Sequence, residues 1–242
     1  MRAPFHEPTR THFISLCLLL PLVIFISMME NADTKKPLTY LALGDSYTIG
    51  ESVPASENFP SAVTARLEEE DLHFSAPAIV AETGWTTTDL LGAISKTKLS
   101  ARYDFVTLLI GVNNQYQNLP LADFTKDFEN LLKKAIRFAG NDAGHVAVLS
   151  IPDWSVTPYA NGYLPDRFGR DAAVISKQID EFNAACRLIS GKHQVTFIDI
   201  TEGTRLAATE PGLLTTDGLH PSGKEYGIWA EKLSVVMKKK FR

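Results

Sequence analysis

Five short, nearly unbroken apolar runs alternate with amphipathic stripes along this chain, and that alternation leaves few folds open to it. The runs are Leu38–Leu43, Ala78–Ala81, Phe105–Ile110, His145–Ile151 and Val195–Ile200. A strand with one wet face alternates apolar and polar residues. These runs do not, so they suit strands covered on both faces, as in parallel sheets. Helical spacing fills the intervals. Phe59, Val63 and Leu67 recur at four-residue steps, and Phe124, Phe128, Leu131, Leu132, Ala135 and Ile136 make a stripe that stops near Gly140-Asn141. Ile175, Ile179, Phe182, Cys186 and Ile189 form a third stripe, and Tyr226, Trp229, Ala230, Leu233, Val236 and Met237 a fourth. These stripes read as core. Strand–helix alternation predicts one three-layer α/β/α domain around a mainly parallel five-stranded sheet. One long stretch, Pro152 to Arg170, follows neither period and carries Trp154, Tyr159, Tyr163 and Phe168. A pocket wall and a packed surface loop are both compatible with it.

The first 32 residues stand apart. Arg2 and Arg10 precede a mostly apolar stretch from Phe13 to Met28, the pattern of a secretory leader and somewhat short for a spanning helix. Glu30 weakens a cleavage site after Ala32, so an uncleaved membrane anchor is the competing reading. Cys17 does not make a lipoprotein signal, because most of the apolar run follows it. The expectation is an exported protein, periplasmic or extracellular, with residues 33–242 as its folded domain. Membrane contact is expected through the N-terminal segment alone. Loss of the leader would leave Cys186 as the single cysteine and no intramolecular disulfide, which a domain of this size can do without. Cys186 sits in an apolar stripe and reads as a small buried hydrophobe. With net charge −4 and no basic stripe, nucleic acid is not an expected partner. Lys238-Lys239-Lys240 reads as the solvated last turn of a helix.

Gly44-Asp45-Ser46-Tyr47 follows the first apolar run, where the chain leaves the sheet. Open α/β sheets place their chemistry at such strand ends. A serine hydroxyl is a weak nucleophile until a base takes its proton. Of the six histidines, His220 alone lies on a loop beside a carboxylate, within Asp217-Gly218-Leu219-His220-Pro221. The three-residue spacing lets one turn carry both groups, Asp217 orienting the imidazole and the imidazole facing Ser46. Two other loops leave strand ends. One carries Gly84, whose backbone N–H is unobstructed, and the other Asn113, whose side-chain amide can donate. Each is a candidate donor for a developing oxyanion, as is the Ser46 N–H, and each of the two taken singly reads equally as an ordinary turn residue. Tyr47, Trp85, Asn114, Tyr116 and Trp154 are the expected pocket lining.

The order Ser46, Gly84, Asn113, Asp217-x-x-His220 resembles the SGNH, or GDSL-type, hydrolase superfamily, over the chain from about Leu38 to its end. The resemblance implies a flavodoxin-like sandwich, Ser46 as nucleophile, and an oxyanion hole of Ser46, Gly84 and Asn113. It also implies cleavage of esters or thioesters, often on acylated sugars or lipids, without metal or cofactor. One position departs: the family's Gly-x-Asn-Asp reads Gly111-Val112-Asn113-Asn114 here, which puts the role of the last residue in question. The Gly-x-Ser-x-Gly elbow of α/β-hydrolases is absent around Ser46. Small acyl esters are the expected substrates, a lysophospholipase or thioesterase the alternative, and a non-catalytic binding module on the same scaffold the reading from another class.

Overall fold

Each of the five apolar runs contributes a strand to a single sheet: β1 (Tyr40–Asp45), β2 (Ala78–Glu82), β3 (Phe105–Leu109), β4 (Val146–Leu149) and β5 (Thr196–Ile198). The structure is a computed structural model that describes residue 1 and residues 36–242. The leader expected over residues 1–32 therefore lies, apart from Met1, outside the described residues. All strand pairs are parallel and the order is β2-β1-β3-β4-β5. That is the flavodoxin-like order. The three inner strands are buried along their whole length, whereas the edge strands β2 and β5 are only partly covered. Continuous apolar sequence in the middle of the sheet follows from that burial.

Nine helices accompany the sheet among the described residues: α1 (Ser46–Ile49), α2 (Phe59–Glu68), α3 (Thr87–Lys96), α4 (Val112–Tyr116), α5 (Leu121–Phe138), α6 (Pro158–Asn161), α7 (Ala172–Lys192), α8 (Thr201–Arg205) and α9 (Gly223–Phe241). In one layer α9 packs on α2, with the Phe59 and Trp229 rings 6.1 Å apart. In the other, α5 lies between α3 and α7, and Phe124 meets Phe182 at 4.6 Å. The four predicted stripes are the core faces of α2, α5, α7 and α9. Cys186 is buried on α7, and burial pushes its thiol pKa far up. It is a packing residue.

Two elements differ from the sequence expectation. β1 begins two residues later than the apolar run and ends two later; at its start Thr39 gives its N–H and hydroxyl to Asp104 Oδ2, both at 2.8 Å, while its carbonyl still accepts the Phe105 N–H at 3.1 Å. β1 ends at Asp45, and Ser46 follows directly as the first residue of the next helix. α3 has no counterpart among the predicted stripes, since its core face is little more than Leu90 and Ile94. Its start is nonetheless written in Thr86 and Asp89, which cap each other's backbone N–H groups.

The stretch from Pro152 to Arg170 is mostly irregular, with a 3₁₀ turn at Trp154–Val156 and the single turn of α6. Arg170 latches it down. Its guanidinium pairs with Asp166 at 2.5 Å and donates to the carbonyls of Gln115 and Tyr116 at 2.7 and 2.9 Å, all in a nearly dry setting. This loop is consequently held against α4, at the carboxyl ends of the strands.

Candidate active site

The chain order reverses between β1 and β3, so a crevice opens at their carboxyl ends. Gly44 pairs with Leu109 across that junction, which brings residues 45–46 beside residues 110–113. Each residue of the Gly-Asp-Ser segment has a local reason. A Cβ on Gly44 would stand 2.0 Å from Thr48 Oγ1 and 2.5 Å from the Leu109 carbonyl oxygen, so only glycine lets α1 fold back onto the sheet. Asp45 is the N-cap of α1 and accepts the Tyr47 N–H at 3.1 Å. Ser46 is then the first helical residue, whose own N–H has no intrahelical acceptor.

Asp45 is fully buried, and its Oδ2 has no hydrogen-bond partner among the described residues. Burial raises its pKa to about 7, offset only in part by the N–H groups of Tyr47, Asp45 itself and Gly111. Below its ordinary value near 3.8, folded and unfolded chains both hold the proton and no penalty arises. Between there and about 7 the unfolded chain releases the proton while the fold retains it, so stability falls as pH rises. Above about 7 the loss is complete. Asp45→Asn is therefore expected to gain thermal stability relative to the parent protein progressively from pH 4 to 7, with a constant difference above. Melting curves at half-unit pH steps check this.

The Asp217–His220 turn is closed by the Thr215 N–H donating to the His220 carbonyl at 2.8 Å and by a bridge between Leu214 and Pro221. Within it Asp217 divides its oxygens. Oδ1 accepts from Thr215 Oγ1 (2.7 Å), Leu219 N–H (2.8 Å) and His220 N–H (2.9 Å), fixing the turn. Oδ2 meets His220 Nδ1 at 2.8 Å. The other imidazole nitrogen, Nε2, lies 3.1 Å from Ser46 Oγ, 174 residues away in the chain. Partial burial works to raise the Asp217 pKa, but these hydrogen bonds outweigh it and hold the carboxyl well below the usual range. Asp217 is anionic at every near-neutral pH. The Tyr47 ring, buried, packs on the imidazole at 5.2 Å and seats it. His73, His145 and His193 are engaged elsewhere, with Glu68, the Asp104 carbonyl and Glu129.

A cavity of about 170 Å³ opens over this chain of hydrogen bonds. Ser46, Gly84, Asn113 and His220 all border it, together with Tyr47, Tyr116 and Trp154. Gly84 has φ +84°, and a Cβ added there would meet nothing within 4 Å, so glycine is needed for backbone conformation and not for space. One hydrogen of the Asn113 amide goes to the Trp85 carbonyl at 3.0 Å, which orients the group and leaves its second N–H. Gly84, Asn113 and a histidine-paired serine hydroxyl thus border one cavity. Such a set can stabilise a tetrahedral oxyanion and move the serine proton.

Two residues expected in the pocket do not line it. Trp85 presents its carbonyl to Asn113, and Asn114 is buried against α3. Asn114 Oδ1 accepts the Thr87 N–H at 3.0 Å and its Nδ2 donates to Thr87 Oγ1 at 2.9 Å. Asparagine in place of aspartate is thereby accounted for. The position ties α4 to the start of α3, and either an amide or a carboxylate can accept the Thr87 N–H, with the Thr87 hydroxyl as acceptor or donor respectively. Thr83, Val112 and Leu219 also line the cavity without being marked for it by the sequence, and Tyr159 lines it from the Pro152–Arg170 stretch, whose sequence is compatible with a pocket wall. Leu219 sits within the Asp-x-x-His turn, which is a usable signal. Tyr159 gives only the general hint of an aromatic loop, because its place depends on its N–H bonding the Gly218 carbonyl at 3.0 Å.

The sequence model of the GDSL-like Lipase/Acylhydrolase family matches residues 42–228. Comparison with curated proteins returned no match. Among solved structures the chain is similar to the lipase/acylhydrolase from Enterococcus faecalis, at 21% identity and TM-score 0.63, covering 85% of this chain and 96% of that one. It is similar to the psychrotrophic esterase EstA from Pseudoalteromonas sp., at 18% identity and TM-score 0.57, over 83% and 97% of the two chains. An acetyl xylan esterase, AlAXEase, aligns at 16% identity and TM-score 0.62, over 81% and 98%. At such identities these likenesses concern the fold.

Proposed function

Because this chain belongs to the GDSL-like lipase/acylhydrolase family and is an ester-bond hydrolase, we propose that it works through an acyl-enzyme formed on Ser46. The observation that carries the reading is the unbroken run Asp217–His220–Ser46 at 2.8 and 3.1 Å, ending in a cavity bordered by Gly84 and Asn113. Ser46 Oγ attacks the ester carbonyl as His220 Nε2 takes its proton. Asp217 holds the resulting imidazolium. The N–H groups of Ser46 and Gly84 and the Asn113 amide receive the oxyanion. His220 then gives the proton to the departing alcohol, and water, activated by the same imidazole, releases the acid.

We further propose a preference for short acyl groups, acetyl or close to it, on a sugar or another small alcohol. The support is the size and rigidity of the cavity. Trp154 and Tyr116 meet edge to face at 5.3 Å, and the Trp154 indole N–H is pinned to Gln115 Oε1 at 2.8 Å. A wall so braced does not easily yield to a long chain. Rates on p-nitrophenyl acetate, butyrate and decanoate test this, with acetate or butyrate expected to be fastest. A decanoate preference would move the assignment to the lysophospholipase or thioesterase side of the family. Export is likewise a proposal, resting on Arg2, Arg10 and the apolar stretch from Phe13 to Met28.

A further inference from the structure

One short turn touches three parts of the site and belongs to none of them. α1 ends after a single turn, and the N–H groups of Gly50 and Glu51 both donate to the Ser46 carbonyl, at 3.1 and 3.0 Å. The turn is therefore registered on the backbone of the serine itself. The next residue, Ser52, donates its hydroxyl to Asp217 Oδ2 at 2.8 Å, the same oxygen that meets His220 Nδ1. Glu51 accepts a hydrogen bond from Thr83, the neighbour of Gly84.

Every other hydrogen bond to the Asp217 carboxylate comes from its own turn: Thr215, Leu219 and His220. Ser52 is the one contact from a different element among the described residues. The Asp217 side chain is 31% exposed, so water would otherwise compete for Oδ2. Ser52 makes its contact at φ +66°, a left-handed conformation that costs a serine and that glycine adopts freely. The residue is exposed. What serine supplies there is the hydroxyl.

We propose that Ser52 is a positioning residue for ester hydrolysis. Its hydroxyl holds Asp217 Oδ2 in line with the imidazole, while Glu51 ties the Gly84 loop to the same turn. The proposal rests on the reading of Ser46, His220 and Asp217 given above. Its mechanism is geometric: Oδ1 is occupied by the turn, and the hydroxyl removes the remaining freedom of Oδ2 relative to Ser46.

Ser52→Gly separates this role from a structural one. It deletes the hydroxyl and relieves the backbone, so the melting temperature should hold or rise while kcat on p-nitrophenyl acetate falls roughly 10-fold with KM unchanged. The low-field proton resonance of the His220 Nδ1–H should shift. Ser52→Ala should lose the same activity, which keeps the test valid if one variant folds poorly. The proposal is overturned if kcat stays within twofold and the resonance does not move, or if activity falls only in step with melting temperature. Ser46→Ala, measured alongside, keeps two failures apart. If that variant is inactive, a silent Ser52→Gly sinks the turn alone. If it is active, the site reading fails and the turn with it.

Discussion

Ser46→Ala is expected to lower kcat on p-nitrophenyl acetate by about 10⁶-fold, on the order of 8 kcal/mol of transition-state stabilisation. The size follows from what is lost. Without the hydroxyl no acyl-enzyme forms, and His220 has no proton to take from the nucleophile. A residual rate above water should survive, because the Gly84 and Asn113 donors remain beside the cavity. The fold should be little affected. Ser46 contributes one hydroxyl at the start of α1, and its removal leaves His220 Nε2 facing a cavity where water can serve it. Labelling by a fluorophosphonate probe should disappear with the hydroxyl. Turnover near that of the parent protein, in a variant whose melting curve is unchanged, would remove Ser46 from the mechanism.

Asp217→Asn is expected to lower kcat by about 10⁴-fold with the turn still in place. The amide oxygen can keep the Oδ1 contacts to Thr215, Leu219 and His220. The amide nitrogen then replaces Oδ2, where it meets His220 Nδ1 and the Ser52 hydroxyl. A donor there favours the tautomer with its proton on Nε2, and Nε2–H cannot accept from Ser46. The geometry survives while the direction of the proton path is reversed. The parent carboxyl, held far below its usual range, stays charged throughout neutral pH, so the large loss should persist at every pH from 6 to 9. A decrease under tenfold would mean that Asp217 only shapes its turn.

How far the sequence can be read depends on the range of the interactions involved. β3 is legible almost to the residue because burial on both faces writes a continuous apolar run. β1 starts later than its apolar run, where a single long-range partner, Asp104, takes the Thr39 N–H that a neighbouring strand would otherwise receive. α3 leaves little trace since so few apolar residues on its buried face make a weak period, although its capping residues stand in plain view. Asn114 is expected at the pocket from its neighbour in the chain. Adjacent residues on a helix point in different directions, and it faces Thr87 instead.

Ser46, Asp217 and His220 are legible because each is tied to a local device, a strand end or an Asp-x-x-His turn, whereas Gly84 and Asn113 read singly as ordinary turn residues and gain meaning only from their order with the other three. Local backbone chemistry restricts which residue types can stand in such places, so the type itself carries information. The size of the cavity, the latch of Arg170 on Gln115 and Tyr116, and the reach of Ser52 to Asp217 carry no such mark. The two contacts join elements that are between 54 and 165 residues apart, and any hydroxyl or guanidinium in the chain had the same chemistry to offer. Which of them met which acceptor was settled only when the sheet order 2-1-3-4-5 brought β1 and β3 side by side and the terminal turn closed over their ends.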